Sequence, residues 1–129
     1  MKILAIDAAG ACLSWLMECK KAGHEIRWYV PQTKERKHNP VGEGIIKRVD
    51  AWKPHMDWAD LIFLTDNIKF VDELESYQRA GYPIFGPNKA ATDLELDRQI
   101  GQDAFKAAGI DVMEGEEFKD YDTAYQCCP

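Results

Sequence analysis

Short apolar runs alternate with helix-periodic stretches along almost the whole chain, and that alternation narrows the fold more than any other feature. Lys2-Ile3-Leu4-Ala5-Ile6 is a buried-strand run. Ala11 to Ala22 then carries Cys12, Leu13, Leu16, Met17 and Cys19 on one helical face and ends at Gly23, and Ile26 to Val30 forms a second strand before Pro31. Leu61 to Leu64 is a third strand. Phe70, Val71, Leu74 and Tyr77 fall at helical spacing, and Gly81 ends that helix before the Tyr82 to Phe85 run. Pro83 suits the first residue of a strand but not the interior of a central one. A helix starts near Asn88, and the last helix, with Ile100, Ala104 and Phe105 inward, stops at Gly109. Ile110 to Phe118 reads as an extended connection or an edge strand. Strands joined through helices must run parallel, so the expectation is a three-layer α/β domain over 1–112 with a parallel sheet of four or more strands, followed by an extended connection over 113–129.

A chain of 129 residues, 46% of them hydrophobic, suffices for one domain with a core. Its net charge of −6 argues against a general nucleic-acid or anionic-membrane binder, because neither surface rewards an acidic partner. No apolar run approaches the length of a membrane span, and Met1 to Leu4 leads into acidic Asp7 rather than a signal-peptide core, so the cytoplasm is the expected location. Cys12 and Cys19, seven apart on a predicted helix, read as small buried side chains. Cys127-Cys128 lacks metal-ligand spacing, so reduced thiols and no metal site are expected.

A parallel sheet of this type binds ligands beyond the carboxyl ends of its strands, which directs attention to the loops after Ile6, Val30, Leu64 and Phe85. In the first loop Ala8, Ala9, Gly10 and Ala11 bring backbone N–H groups to a helix start, although close helix-strand packing explains Ala8 and Ala9 equally well. The second, Pro31 to Trp58, concentrates Lys34, Arg36, Lys37, His38, Lys47 and Arg48, which form either a phosphate-binding patch or a solvated basic face. His38 and His55 read as loop residues rather than ligands. The third loop supplies Asp66 and Asn67 after Thr65. The fourth, Gly86-Pro87-Asn88-Lys89, turns sharply at the glycine and opens a helix whose free amides face the same rim. As a bare pattern, taken alone, it fits a plain strand-to-helix connection better than a ligand site.

The whole string Pro83-Ile84-Phe85-Gly86-Pro87-Asn88-Lys89-Ala90-Ala91-Thr92-Asp93-Leu94-Glu95 resembles the segment leading into the ATP-grasp region of phosphoribosylamine glycine ligase, also called glycinamide ribonucleotide synthetase. Trp58 to Leu64 is similar to a strand of that family, and Phe105 to Ile110 to the end of one of its helices. The resemblance covers the second half of the chain well and the first half loosely. The family's glycine-rich start followed by Arg-Glu-His is replaced by Ala11, Cys12 and Leu13. Asn67, or Asp66 with a gap, stands where the family has an acid.

The resemblance implies a Rossmann-like pre-ATP-grasp domain in a purine-biosynthesis ligase. In the complete family enzyme ATP activates glycine as an acyl phosphate, which the amine of phosphoribosylamine attacks. It also implies that Arg98, where the family usually has lysine, touches ATP phosphates, although a surface arginine pairing with Asp97 or Asp103 fits the position too. The grasp lysine and the Mg²⁺ carboxylates belong to a grasp domain that must act in cis or in trans. The chain is therefore expected to have no catalytic residue of its own, to hold neither ATP nor Mg²⁺ tightly, and not to ligate alone. A diverged ligase with another substrate, or a non-catalytic module that binds a sugar phosphate or nucleotide, are the alternatives.

Overall fold

The five-residue run Lys2–Ile6 forms β1, the middle strand of a sheet whose five members are all parallel. The computed structural model describes residues 1–32, 40–113, 115 and 118–127. After β1 come α1 (Leu13–Lys21), β2 (Glu25–Tyr29), β3 (Arg48–Val49), a 3-10 turn over Lys53–His55, β4 (Leu61–Leu64), α2 (Val71–Arg79), β5 (Ile84–Phe85), α3 (Lys89–Leu96), α4 (Arg98–Ala107) and α5 (Tyr121–Cys127). The sheet order is β3-β2-β1-β4-β5, so the chain first winds outward in one direction and then crosses back to wind in the other. The place where it reverses lies between β1 and β4, whose register pairs Ile6 with Leu64.

Alternate residues of β1 feed two cores. Leu4 and Ile6 point to one side with Ile62, Leu64, Trp52, Met56 and the α2 residues Val71 and Leu74. Ile3 and Ala5 point to the other with Leu16, Ile26, Trp28 and Ile46. Burial on both faces is what a parallel sheet requires, and each fully buried aliphatic side chain contributes about 1.5–3 kcal/mol. The two faces are not equally covered. Phe63 of β4 stacks near Phe85 at 6.0 Å between ring centroids and meets Trp15 at 4.4 Å, and Phe85 is 68% exposed.

The fold class expected from the alternation is the one observed, with differences of detail. The Pro31 to Trp58 loop contains β3 and a 3-10 turn, because two residues of edge strand carry too little apolar pattern to announce themselves. The stretch from Asn88 to Gly109 holds two helices broken at Asp97. A correction concerns Ile100, Ala104 and Phe105, which do not point inward: Ile100 and Phe105 are 46% and 54% exposed, and Ala104 is exposed as well. The reason is that α4 leans on α3 through its buried Gly101, which lies against the Leu94 carbonyl, and not on the sheet through its apolar stripe. Within 113–129, read from sequence as extended, α5 adds a short helix, and the described residues between Ile110 and Phe118 form no strand.

Candidate functional site

Parallel strands bring the loops after β1, β2, β4 and β5 to one edge of the sheet, and three contacts tie the first, third and fourth of these regions together. Thr65 Oγ1, just beyond β4, donates to Asp7 Oδ1 at 3.1 Å, joining the first and third loops at the reversal point. Thr92 of α3, only 3% exposed, donates to the Asn67 carbonyl at 3.0 Å. Gly86 lies so close to β4 that a Cβ built there would sit 2.7 Å from Leu64 Cβ and 2.9 Å from the Leu64 carbonyl oxygen. Glycine is needed in this turn for close approach to a neighbouring strand rather than for a left-handed backbone.

Asp7 dominates the first loop. It is fully buried, and its carboxylate accepts hydrogen bonds from the amides of Ala9 at 3.2 Å, Gly10 at 2.9 Å and Cys12 at 2.9 Å. Trp28 Nε1 reaches it at 3.3 Å, and Thr65 completes the set. α1 has no side-chain cap from Cys12, the residue that precedes it, and Asp7 satisfies the Cys12 amide itself from five residues upstream. An acid at a helix amino terminus also complements the dipole. Burial by itself raises the Asp7 carboxyl, but hydrogen bonds from the Cys12 thiol, the Cys12 and Ala11 amides and the Thr65 hydroxyl outweigh it and hold the group below the ordinary carboxylate range. The neighbouring Cys12 thiol is pushed far up, first by burial and then by the Asp7 carboxylate, so it stays protonated.

The remaining sequence candidates are distributed around this centre. Asp66 folds back on its own loop and accepts from the amides of Ile68 at 2.8 Å and Lys69 at 2.5 Å. Asn67 contributes its carbonyl rather than its side chain to the contact with Thr92. Asn88 caps α3 by accepting from the Ala91 amide at 2.9 Å, as its residue type suggests. Pro87 offers its carbonyl to Gln78 Nε2 at 3.2 Å. Lys89 is paired with Asp93 at 2.8 Å and lies 3.7 Å from Asp72, and the Asp93 contact raises its pKa. Gln78, Tyr82, Gly86, Asn88 and Lys89 line an open recess of about 560 Å³.

Arg98 is the first residue of α4 and is exposed, and among the described residues it makes no ion pair with Asp97 or Asp103. Asp97 instead caps α4 through Ile100 N, and Asp103 accepts from Gln99. A larger open groove of about 930 Å³ flanks the ends of β2 and β3, with Tyr29, Gln32, Lys47, Arg48 and Asp50 among its walls. Arg48 is committed there to the Val41 carbonyl at 2.9 Å and to the face of Trp28. Lys34, Arg36, Lys37 and His38 lie outside the described residues, as does Cys128. His55 accepts from Arg27 at 2.8 Å on the opposite side of the sheet from α1, where Arg27 also stacks on Trp58 at 3.9 Å.

Sequence reasoning missed Asp7 as the organiser of the rim. The available signal was an acid placed directly after a buried strand and six residues before the helix, a position from which a carboxylate reaches the amides of the turn. No group of three or more His, Cys, Asp or Glu side chains among the described residues is placed to hold a metal ion. No helix among them is long and apolar enough to cross a membrane.

No family model matches the chain, and no curated protein matches it. Among solved structures it is similar to N5-carboxyaminoimidazole ribonucleotide synthetase from Thermotoga maritima, at 20% sequence identity and a TM-score of 0.68. The match covers 97% of this chain and 35% of the synthetase, so the chain spans about a third of that protein's length. At this identity the likeness is one of fold: the chain has the parallel α/β architecture of one part of a ribonucleotide synthetase.

Proposed function

We propose that the chain is the amino-terminal, pre-ATP-grasp domain of a carboxylate-amine ligase similar to phosphoribosylamine glycine ligase, acting in purine biosynthesis in the cytoplasm. The observation that carries this reading is that nearly the whole chain superposes on one third of a ribonucleotide synthetase while also bearing the Gly86-Pro87-Asn88-Lys89 turn. In this reading the domain does not perform the chemistry. It offers a rim to the amine substrate, phosphoribosylamine or a relative, and a grasp domain supplies ATP, Mg²⁺ and the activated glycine.

On the rim, Gly86 lets the turn run against β4, Asn88 fixes the start of α3, and Lys89 carries a cation next to the recess. Arg98, exposed and free of the two nearby aspartates, is the group that would contact ATP phosphates. A diverged substrate is favoured by one specific observation, that the first-loop amides of Ala9, Gly10 and Cys12 already donate to Asp7.

The test is a titration of the ¹⁵N-labelled chain with ribose 5-phosphate, paired with an ADP-release assay containing ATP, Mg²⁺, glycine and phosphoribosylamine. Amide shifts at Asn88 and Lys89 without ADP release are expected. Robust ADP release by the chain alone would overturn the assignment as a non-catalytic domain, and silence at Asn88 and Lys89 would remove the sugar phosphate from this rim.

A further inference from the structure

The start of α1 has the composition of an anion receptor, but the chain fills the receptor itself. The Ala9, Gly10 and Cys12 amides, Trp28 Nε1 and the Thr65 hydroxyl converge on one carboxylate that is fully buried, with distances between 2.9 and 3.3 Å. These donors come from three separate segments: the loop after β1, strand β2 and the end of β4. Local turn chemistry explains the Ala9 and Gly10 contacts, since an aspartate often accepts from amides two and three residues on. It does not explain the indole and the hydroxyl, which belong to residues 21 and 58 positions away.

We propose that Asp7 is a specificity-determining residue: a built-in anion that closes the first loop to phosphate. A phosphate approaching this turn meets amides already donating and a buried negative charge behind them, which repels it in a medium where charge is poorly screened. What the loop leaves facing outward is the exposed methyl groups of Ala9 and Ala11, with Ala8 half-buried beside them. The part of any ligand that lies over this loop is therefore not anionic. Anionic groups are left to basic positions elsewhere, such as Lys89 in the β5–α3 turn and Arg98 at the start of α4. The inference concerns contacts within the chain and holds whatever ligand the rim takes, so it stands or falls separately from the ligase reading.

The experiment compares the full chain with the Asp7→Gly and Asp7→Ala variants in inorganic phosphate and in acetate, reading thermal midpoints and the amide signals of Ala9, Gly10 and Cys12. In the unmodified chain neither anion should move these three signals. Each variant should be markedly less stable in chloride buffer. Millimolar acetate, which replaces the lost carboxylate, and phosphate should raise its midpoint by several degrees and shift all three amides. Phosphate shifts at these amides in the unmodified chain would overturn the proposal. So would a folded variant that takes neither anion, or one that takes acetate but excludes phosphate, since shape and not Asp7 would then be selecting. Failure of both variants to fold in either anion also counts against it, because an anion in the vacated space should substitute for the carboxylate.

Discussion

The Thr65 hydroxyl donates to the Asp7 carboxylate across 3.1 Å and also lies 3.5 Å from the Ile6 carbonyl, closing the gap between β1 and β4 at the point where the sheet changes winding direction. In open α/β sheets this gap is where ligands usually enter. Here its inner wall is a saturated hydrogen-bond network.

Asp7→Asn is expected to destabilise the fold by about 3 kcal/mol, because it removes the charge that strengthens five hydrogen bonds and turns one acceptor into a donor aimed at other donors. Thr65→Val, which removes one donor and keeps the shape, should cost about 1 kcal/mol. Urea unfolding of the three proteins gives both differences. Equal losses for the two substitutions would show that the carboxylate's charge is unimportant.

The same network sets an acid limit. The Asp7 carboxyl titrates below its ordinary 3.8 in the folded protein, so the unfolded chain takes up this proton first as pH falls. The stability it contributes is complete above 3.8 and is lost as pH drops through the lower folded value. A stability profile measured by denaturation at successive pH values should fall on the acid side, and the fall should be shallower in Asp7→Asn. Parallel acid limbs in the two proteins would assign the loss to other carboxylates.

Gly86→Ala should cost about 1–3 kcal/mol, because the new methyl would meet Leu64 backbone and Cβ atoms that cannot move aside without disturbing β4. Gly23→Ala is the comparison: its φ of +83° is strained for alanine, but open space surrounds it, and about 1 kcal/mol is expected. Melting curves rank the two, and a Gly86→Ala protein as stable as the parent would remove the close-approach argument.

Cys12 should resist thiol reagents in the folded protein, since burial and the adjacent Asp7 carboxylate both disfavour its thiolate. Cys19, half-buried and raised by burial and Glu18, should react first of the two. Alkylation followed by peptide mapping checks the order, and modification of Cys12 at the Cys19 rate without unfolding would contradict the burial described.

Most of the architecture was legible because β1, β2, β4 and α2 bury complete apolar patterns. Gly23 and Gly81 mark the ends of α1 and α2 with positive φ, as glycine after a helix does. The helix start at Asn88 was legible from its capping side chain. Periodicity failed at Ile100 and Phe105, since an apolar stripe says that a face is apolar and not that a neighbour covers it. It failed at Arg48–Val49 because an edge strand of two residues carries no period at all. In the candidate site, residue types pointed to loops that the parallel sheet brings to one edge, but not to what fills them. The amides around Gly10 were identifiable as an anion receptor, whereas the occupancy by Asp7 depends on Trp28 and Thr65, which only the folded sheet brings near.

Asp97 ends α3 by donating its amide to the Asp93 carbonyl and begins α4 by accepting from Ile100 N at 3.0 Å. A single residue with φ −105° and ψ 106° is thus the whole elbow between the two helices. Its angle is braced at Gly101, where a Cβ would stand only 2.6 Å from the Leu94 carbonyl oxygen. The bearing of Arg98, and of everything the chain carries along α4, therefore hangs on one absent carbon atom. Any side chain at 101 would act as a wedge, swinging the helix outward while leaving every strand of the sheet where it was.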